Sequence, residues 1–192
     1  DFQEFMIVPH GAPSFREALR WGAETYHALR TLLTEKGLST GIGDEGGFAP
    51  NLDGNEAACA LIVEAIERAG FIPGEQIALA LDPAASSFSK NGSYDLSKSG
   101  AGSTSSAELG SLYAEWVRRY PIVSIEDGFG EHDWAAFQAQ TAALGRSVQI
   151  VGDDIYVTNP KLIERGITEK TTNAVLIKLN QIGTVTETIA AI

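Results

Sequence analysis

Four apolar runs in this sequence each finish on groups that can ligate a cation or move a proton. "IALALDP" ends at Asp82, "IVSIEDG" at Glu126 and Asp127, "VQIVGDD" at Asp153 and Asp154, and "AVLIKLN" near Lys178 and Asn180. A fifth run, "QEFMIV", carries Gln3 and Glu4 at its start instead. Acids gathered within a few ångströms repel one another and cannot all stay ionised alone. A hard divalent cation resolves that conflict. Oxygen-only ligation by Asp82, Glu126 and Asp153, with no His or Cys beside them, points to Mg²⁺, with Mn²⁺ or Ca²⁺ as alternatives. Taken singly, each acid reads as well as a helix cap or a solvated group. Recurrence at three strand ends favours a site.

Lys178 has two readings. Near a divalent cation its pKa should fall, and a neutral lysine is a competent general base. On the strand alone it reads more readily as a side chain whose stem lies on apolar surface while the amine reaches the rim. The segment 41–51, "GIGDEGGFAPN", places Asp44 and Glu45 among four glycines. Glycine permits close approach of backbone to a ligand, so this segment reads as a functional loop and not an ordinary turn.

The elements that must position these residues follow from periodicity. Residues 5–8, 77–81, 122–125, 148–151 and 174–179 read as buried strands. Their near-continuous apolar character predicts parallel pairing with both faces covered. Helices lie between them. Ser14 and Glu17 have capping-box spacing ahead of Leu19, Tyr26, Leu29 and Leu33. Asn55 reads as the cap of a helix through Leu61, Ile62 and Ile66, closed by Gly70. Ser105 and Glu108 repeat the capping box. Asp133 opens a helix ended by Gly145, and Asn159–Pro160 is a cap with a first-turn proline. Strands alternate with helices, which predicts an α/β chain whose strand C-terminal ends share one face. Two consecutive helices after the first strand break that alternation. Residues 86–106, rich in Ser, Gly and Lys, read as a surface loop. No internal repeat is evident.

The 192 residues carry a formal charge of −11, and 44% are hydrophobic. The charge argues against a nucleic-acid or anionic-membrane surface. It leaves room for a small phosphorylated acid. No run reaches the roughly 18 apolar residues of a membrane span. The single cysteine, Cys59, excludes an intrachain disulfide framework and suits a reducing cytoplasm. The chain opens on a strand-like run and closes within the helical pattern Val185, Ile189, Ile192, so it reads as a piece of a longer protein.

The motifs "GDEGGFAPN", "SIEDG", "VGDD", "LIKLNQIGTVTET" and "QEFMIVP" resemble the enolase (phosphopyruvate hydratase) family, over essentially all 192 residues. The resemblance implies a TIM-like β/α barrel with an irregular ββαα start, here incomplete at about five of eight strands. Residues 1–192 would be part of the C-terminal catalytic domain. It implies reversible, Mg²⁺-dependent dehydration of 2-phosphoglycerate to phosphoenolpyruvate in the cytoplasm, by a homodimer or higher homo-oligomer. By motif, Asp82, Glu126 and Asp153 correspond to the Mg²⁺ ligands and Lys178 to the base at C2. Glu45 corresponds to the acid that protonates the leaving hydroxyl. Gln3 and Glu4 match a pair lining the substrate site, with Glu4 on the leaving-group side. The substrate would also meet Glu126, Asp153 and Lys178. Ser87 stands where the family usually has an acid, and Pro83 after Asp82 is a second departure. The family's N-terminal domain, its serine loop for a second Mg²⁺ and its later phosphate-binding segments are not in this sequence, so the isolated chain is expected to be inactive. The rivals are a sugar-acid dehydratase or racemase on the same barrel, against which the 41–51 loop argues, and a non-catalytic binding protein that keeps the fold.

Overall fold

The computed structural model describes residues 1–192. Eight strands and seven α-helices follow in the order β1 (Glu4–Val8), α1 (Phe15–Glu35), α2 (Asn55–Arg68), β2 (Ala78–Asp82), β3 (Ser89–Lys90), β4 (Ser93–Leu96), β5 (Gly102–Thr104), α3 (Ser106–Arg119), β6 (Ile122–Glu126), α4 (Trp134–Leu144), β7 (Gln149–Gly152), α5 (Pro160–Glu169), β8 (Ala174–Val175), α6 (Leu179–Ile182) and α7 (Val185–Ala191). Five strands form one sheet in the order β1-β2-β6-β7-β8, an open section of a barrel. β2, β6, β7 and β8 pair in parallel.

β1 departs from the expected parallel arrangement and runs antiparallel to β2, with Glu4 opposite Asp82 and Val8 opposite Ala78. The two consecutive helices cause this. α2 starts level with the beginning of β1, where the Asn55 Oδ1 accepts the Phe2 N–H at 3.2 Å. It then delivers the chain to the far end of β1, where the Gly11 N–H donates to the Gln76 carbonyl at 3.1 Å. A chain that re-enters the sheet where β1 left it must run the other way. The start of β1 therefore joins the C-terminal ends of the other strands, and Glu4 joins Asp82.

β2 is the most deeply covered strand, with Ala78, Leu79, Ala80 and Leu81 all buried. Its apolar run packs into a core that includes Ile66 of α2, Tyr113 of α3, Phe137 of α4 and Ile150 of β7. Most helix starts follow the caps read from the sequence. Ser105 and Glu108 complete the full capping box, Asp133 caps α4, and Asn159 with Pro160 opens α5. At α1 only half of the box forms, because Glu17 pairs with Arg20. At α2 the cap is Gly54, not Asn55, whose side chain is drawn to the first residues of the chain.

Residues 86–106 are not a plain loop. They fold into a second antiparallel sheet, β3-β4-β5. Asn91 and Gly92 both adopt left-handed backbone at its first turn, as a two-residue hairpin requires. Tyr94 and Leu96 are buried while Asp95 between them is exposed. Burial of a side chain such as Leu96 is worth about 1.5–3 kcal/mol, enough to anchor a serine-rich hairpin. β8 is also shorter than the expected 174–179 strand. It pairs only with β7, so its ladder ends with the Leu176 N–H on the Gly152 carbonyl at 3.0 Å. Lys178 follows as the extended N-cap of α6.

Candidate active site

The C-terminal ends of β2, β6 and β7 bring Asp82, Glu126 and Asp153 to one face of the sheet. Glu4 arrives there through the antiparallel β1 and Lys178 through the segment after β8. The closest set of carboxylates is Glu126, Asp127 and Asp153, which offer oxygens within 4.8 Å of one another. Asp82 stands beside this set, and its Oδ1 accepts the Ala84 N–H at 2.9 Å.

Electrostatics couples the whole group. Burial pushes Glu126 up to about 7, and Asp82, Asp153 and Asp127 add to the rise while Lys178 opposes it. Burial pushes Asp82 up to about 6, reinforced by Glu4, Asp153 and Asp154 against the Ala84 N–H. Glu4 is held above the usual carboxylate range by burial and by Glu45, with Lys178 acting the other way. Glu45, out on its glycine loop, therefore belongs to the same electrostatic neighbourhood as Glu4 and Lys178. Its loop is tied down at both sides. The Gly43 N–H donates to the Gly47 carbonyl at 2.9 Å, and the Phe48 ring stacks on Tyr26 with centroids 4.3 Å apart. Gln3 is exposed at the mouth, with its N–H on the Pro83 carbonyl at 3.3 Å.

Lys178 donates from Nζ to Asp153 Oδ2. That hydrogen bond, with the charges of Asp153, Glu126 and Asp154, holds Lys178 above its ordinary value despite partial desolvation. The fall expected beside a cation is not what the protein groups alone produce. Their net effect is the reverse, because the hydrogen bond to Asp153 and the charges of Asp153, Glu126 and Asp154 outweigh desolvation. Lys178 is also 43% exposed in its side chain, so the rim position read from the strand holds, with the amine turned onto an acid.

Asp127 was not singled out as a site residue, yet it organises the site. It is 3% exposed and sits in left-handed backbone at φ 41°. Its carboxylate accepts the Asp153 N–H at 3.1 Å and the Asp154 N–H at 2.6 Å, which ties the end of β7 to the end of β6. Burial pushes it up to about 7 against those two N–H groups. No local signal marks this role, because it depends on that left-handed backbone and on two N–H groups just past the end of β7. Near Pro83 the chain turns through Ala84 in left-handed backbone. Ser87 donates its N–H to the Ala84 carbonyl, and Ser86 Oγ accepts the Glu131 N–H at 3.0 Å. The two departures from the family pattern thus lie in an ordered turn.

The donor set suits a divalent cation. It is all oxygen, partly buried, and made of acids in which burial first, and mutual repulsion second, raises Glu126 and Asp82. Fold and site together define a β/α-barrel section that gathers acids and one lysine at the strand C-terminal ends, the face on which sites form in such folds. The family model for the enolase C-terminal TIM barrel domain matches residues 1–192, and the chain belongs to that family. It is 62% identical over 192 residues to "Enolase 1" of Methylococcus capsulatus and 60% identical over 192 residues to "Enolase 2" of Methanospirillum hungatei. It is 59% identical over 194 residues to "Enolase" of Desulfotalea psychrophila. All of this chain is aligned in each case, against 46%, 45% and 46% of those proteins. The chain thus spans a little under half the length of the relatives it matches. No helix is long and apolar enough to cross a membrane.

Proposed function

We propose that the full-length protein carrying this chain is a Mg²⁺-dependent lyase that interconverts 2-phosphoglycerate and phosphoenolpyruvate with loss of water. The observation that carries this reading is the convergence of Lys178, Asp153, Glu126 and Glu4 at one end of the sheet, beside the Glu45 loop. Asp82, Glu126 and Asp153 would hold Mg²⁺. When bound, the cation supplies positive charge against which charge on the substrate carboxylate can build up.

The chain's own residues divide the proton traffic. Lys178 takes the proton from C2. For that its amine must leave Asp153 and arrive neutral. With Asp153 ligating the cation, its hold on the ammonium would weaken. A change of about three units in a lysine pKa corresponds to about 4 kcal/mol. Glu45 gives a proton to the departing C3 hydroxyl, and Glu4 supports that side. Glu4 itself is held above the usual carboxylate range by burial and by the charge of Glu45. Gln3 contributes an amide at the mouth for substrate oxygens. A homodimer or higher homo-oligomer and a cytoplasmic location belong to the same reading.

The test is phosphoenolpyruvate formation from 2-phosphoglycerate by the purified full-length protein, with Mg²⁺ and with a chelator. Turnover that vanishes with the chelator is expected. Turnover of a sugar acid but not of 2-phosphoglycerate would overturn the reading in favour of another dehydratase. A folded, Mg²⁺-binding protein with no turnover would favour a binding role.

A further inference from the structure

The acids and Lys178 do not exhaust the hydrogen bonding at this end of the sheet. Asp153 accepts two donors. Lys178 Nζ donates to Oδ2, and Gln181 Nε2 donates to Oδ1 at 2.7 Å. The other end of the same amide, Gln181 Oε1, accepts the Thr158 hydroxyl at 2.6 Å. Thr158 Oγ1 in turn accepts the Lys178 backbone N–H at 2.9 Å. The directions are forced. A carboxylate only accepts, so Gln181 must present its NH₂ to Asp153. Its carbonyl oxygen then faces Thr158, whose single proton must go there. The Lys178 N–H fills the remaining side of the hydroxyl. These bonds close a ring through Asp153, Gln181, Thr158 and Lys178.

Thr158 is fully buried, and Val157 and Thr158 are consecutive left-handed residues at φ 43° and 56°. β-Branched residues rarely adopt that backbone, and each instance costs on the order of 1–3 kcal/mol. The turn is held by the Tyr156 and Val157 N–H groups on the Asp153 carbonyl, at 3.0 and 2.8 Å. So one short turn fixes Asp153 at its start and the Thr158 hydroxyl near its end.

We propose that Thr158 and Gln181 are positioning residues: Gln181 sets the plane of the Asp153 carboxylate, and Thr158 locks both Gln181 and the backbone from which Lys178 projects. The clamp matters because Asp153 and Lys178 lie in segments that follow different strands and must keep one spacing whether the amine is on Asp153 or turned to substrate. Its catalytic consequence rests on the function proposed above, but its geometry does not.

The experiment uses the full-length protein with Thr158→Val, Thr158→Ser and Gln181→Met. Three quantities are read: backbone hydrogen exchange at Lys178, Mg²⁺ affinity, and solvent exchange of the C2 proton of 2-phosphoglycerate at saturating Mg²⁺. Thr158→Val removes the hydroxyl at nearly constant volume and should strip protection from the Lys178 N–H. It should slow C2 exchange about 10–100-fold while moving Mg²⁺ affinity much less. Gln181→Met should weaken Mg²⁺ binding by about tenfold. Thr158→Ser should restore all three. Equal defects in Thr158→Val and Thr158→Ser would overturn the clamp, as would unchanged Mg²⁺ affinity in Gln181→Met. Loss of Lys178 protection with unaltered C2 exchange would reduce it to a structural contact. If the unmodified protein exchanges no C2 proton, the proposed function fails, and the protection and Mg²⁺ readings still decide the clamp.

Discussion

Tyr156 is the side chain on which the turn after β7 rests, and it is held between two glycines. Its ring is 2% exposed and lies against Gly152 at the end of β7 and Gly166 in α5. A Cβ added at Gly152 would stand 2.4 Å from Tyr156 Cε2, 2.6 Å from Cδ2 and 2.7 Å from Ile155 Cγ2. Carbon atoms pack at about 3.5–4.0 Å, so the ring must retreat by about 1 Å. It cannot retreat freely, since a Cβ position at Gly166 is already 2.1 Å from the Tyr156 hydroxyl oxygen. The displacement also strains the hydrogen bond between Tyr156 and Thr172, at 2.8 Å. Overpacking of about 1–3 kcal/mol plus about 1 kcal/mol for the hydrogen bond gives a loss of about 2–4 kcal/mol for Gly152→Ala. For a domain of this size that lowers the unfolding midpoint by about 5–15 °C. The assay is a double-mutant cycle with Tyr156→Ala, followed by thermal and urea unfolding. With the ring gone, Gly152→Ala should cost little, giving a coupling of about 1.5 kcal/mol or more. A loss below about 0.5 kcal/mol for the single change, within the range of an ordinary surface substitution, would refute the packing argument. So would a full loss that persists without the ring.

Three further outcomes follow from the site and its supports. Asp82, Glu126 and Asp127 have folded pKa values of about 6, 7 and 7, above their unfolded ones. The folded protein therefore binds more protons between those limits, and the stability they contribute is present at acid pH and lost as pH rises toward 7. In chelator, the unfolding midpoint should fall from pH 5 to pH 8, and added Mg²⁺ should raise it more at pH 8; a midpoint that rises over this range contradicts the carboxylate cluster. Asp133 accepts the Tyr94 and Ser106 hydroxyls and caps α4 through the Ala136 N–H, so Asp133→Ala should cost about 2–4 kcal/mol, and hydrogen exchange should show the β3-β4-β5 sheet loosening first. Asp153→Asn should weaken Mg²⁺ by at least about tenfold in calorimetric titration, whereas unchanged affinity would remove Asp153 from the ligand set.

Strand positions and most helix starts were legible because they depend on local signals. β2, β6 and β7 lie within about a residue of their apolar runs, and Ser105, Asp133 and Asn159 cap the helices they precede. Strand direction is not local. The run 5–8 says nothing about direction, but the two helices after it do, since they return the chain to the end where β1 finished. The hairpin at Asn91–Gly92 carried its own turn signal, obscured by the serines and glycines around it. At the site, the acids and Lys178 were visible as residue types at strand ends. The division of labour between Glu126 and Asp127 was not, because it follows from a left-handed backbone and two N–H groups in the turn after β7. Gln181 and Thr158 were invisible for the same reason, as their partners lie 28 and 20 residues away.

The most direct test of the central claim is solvent exchange of the C2 proton of 2-phosphoglycerate, measured in the full-length protein at saturating Mg²⁺ with Lys178→Ala. A positioned general base contributes about 10²–10⁴-fold, so exchange should fall by at least that factor while Mg²⁺ affinity and folding persist. Exchange within about tenfold of the unmodified protein, well short of that contribution, would contradict the assignment of Lys178 as the base.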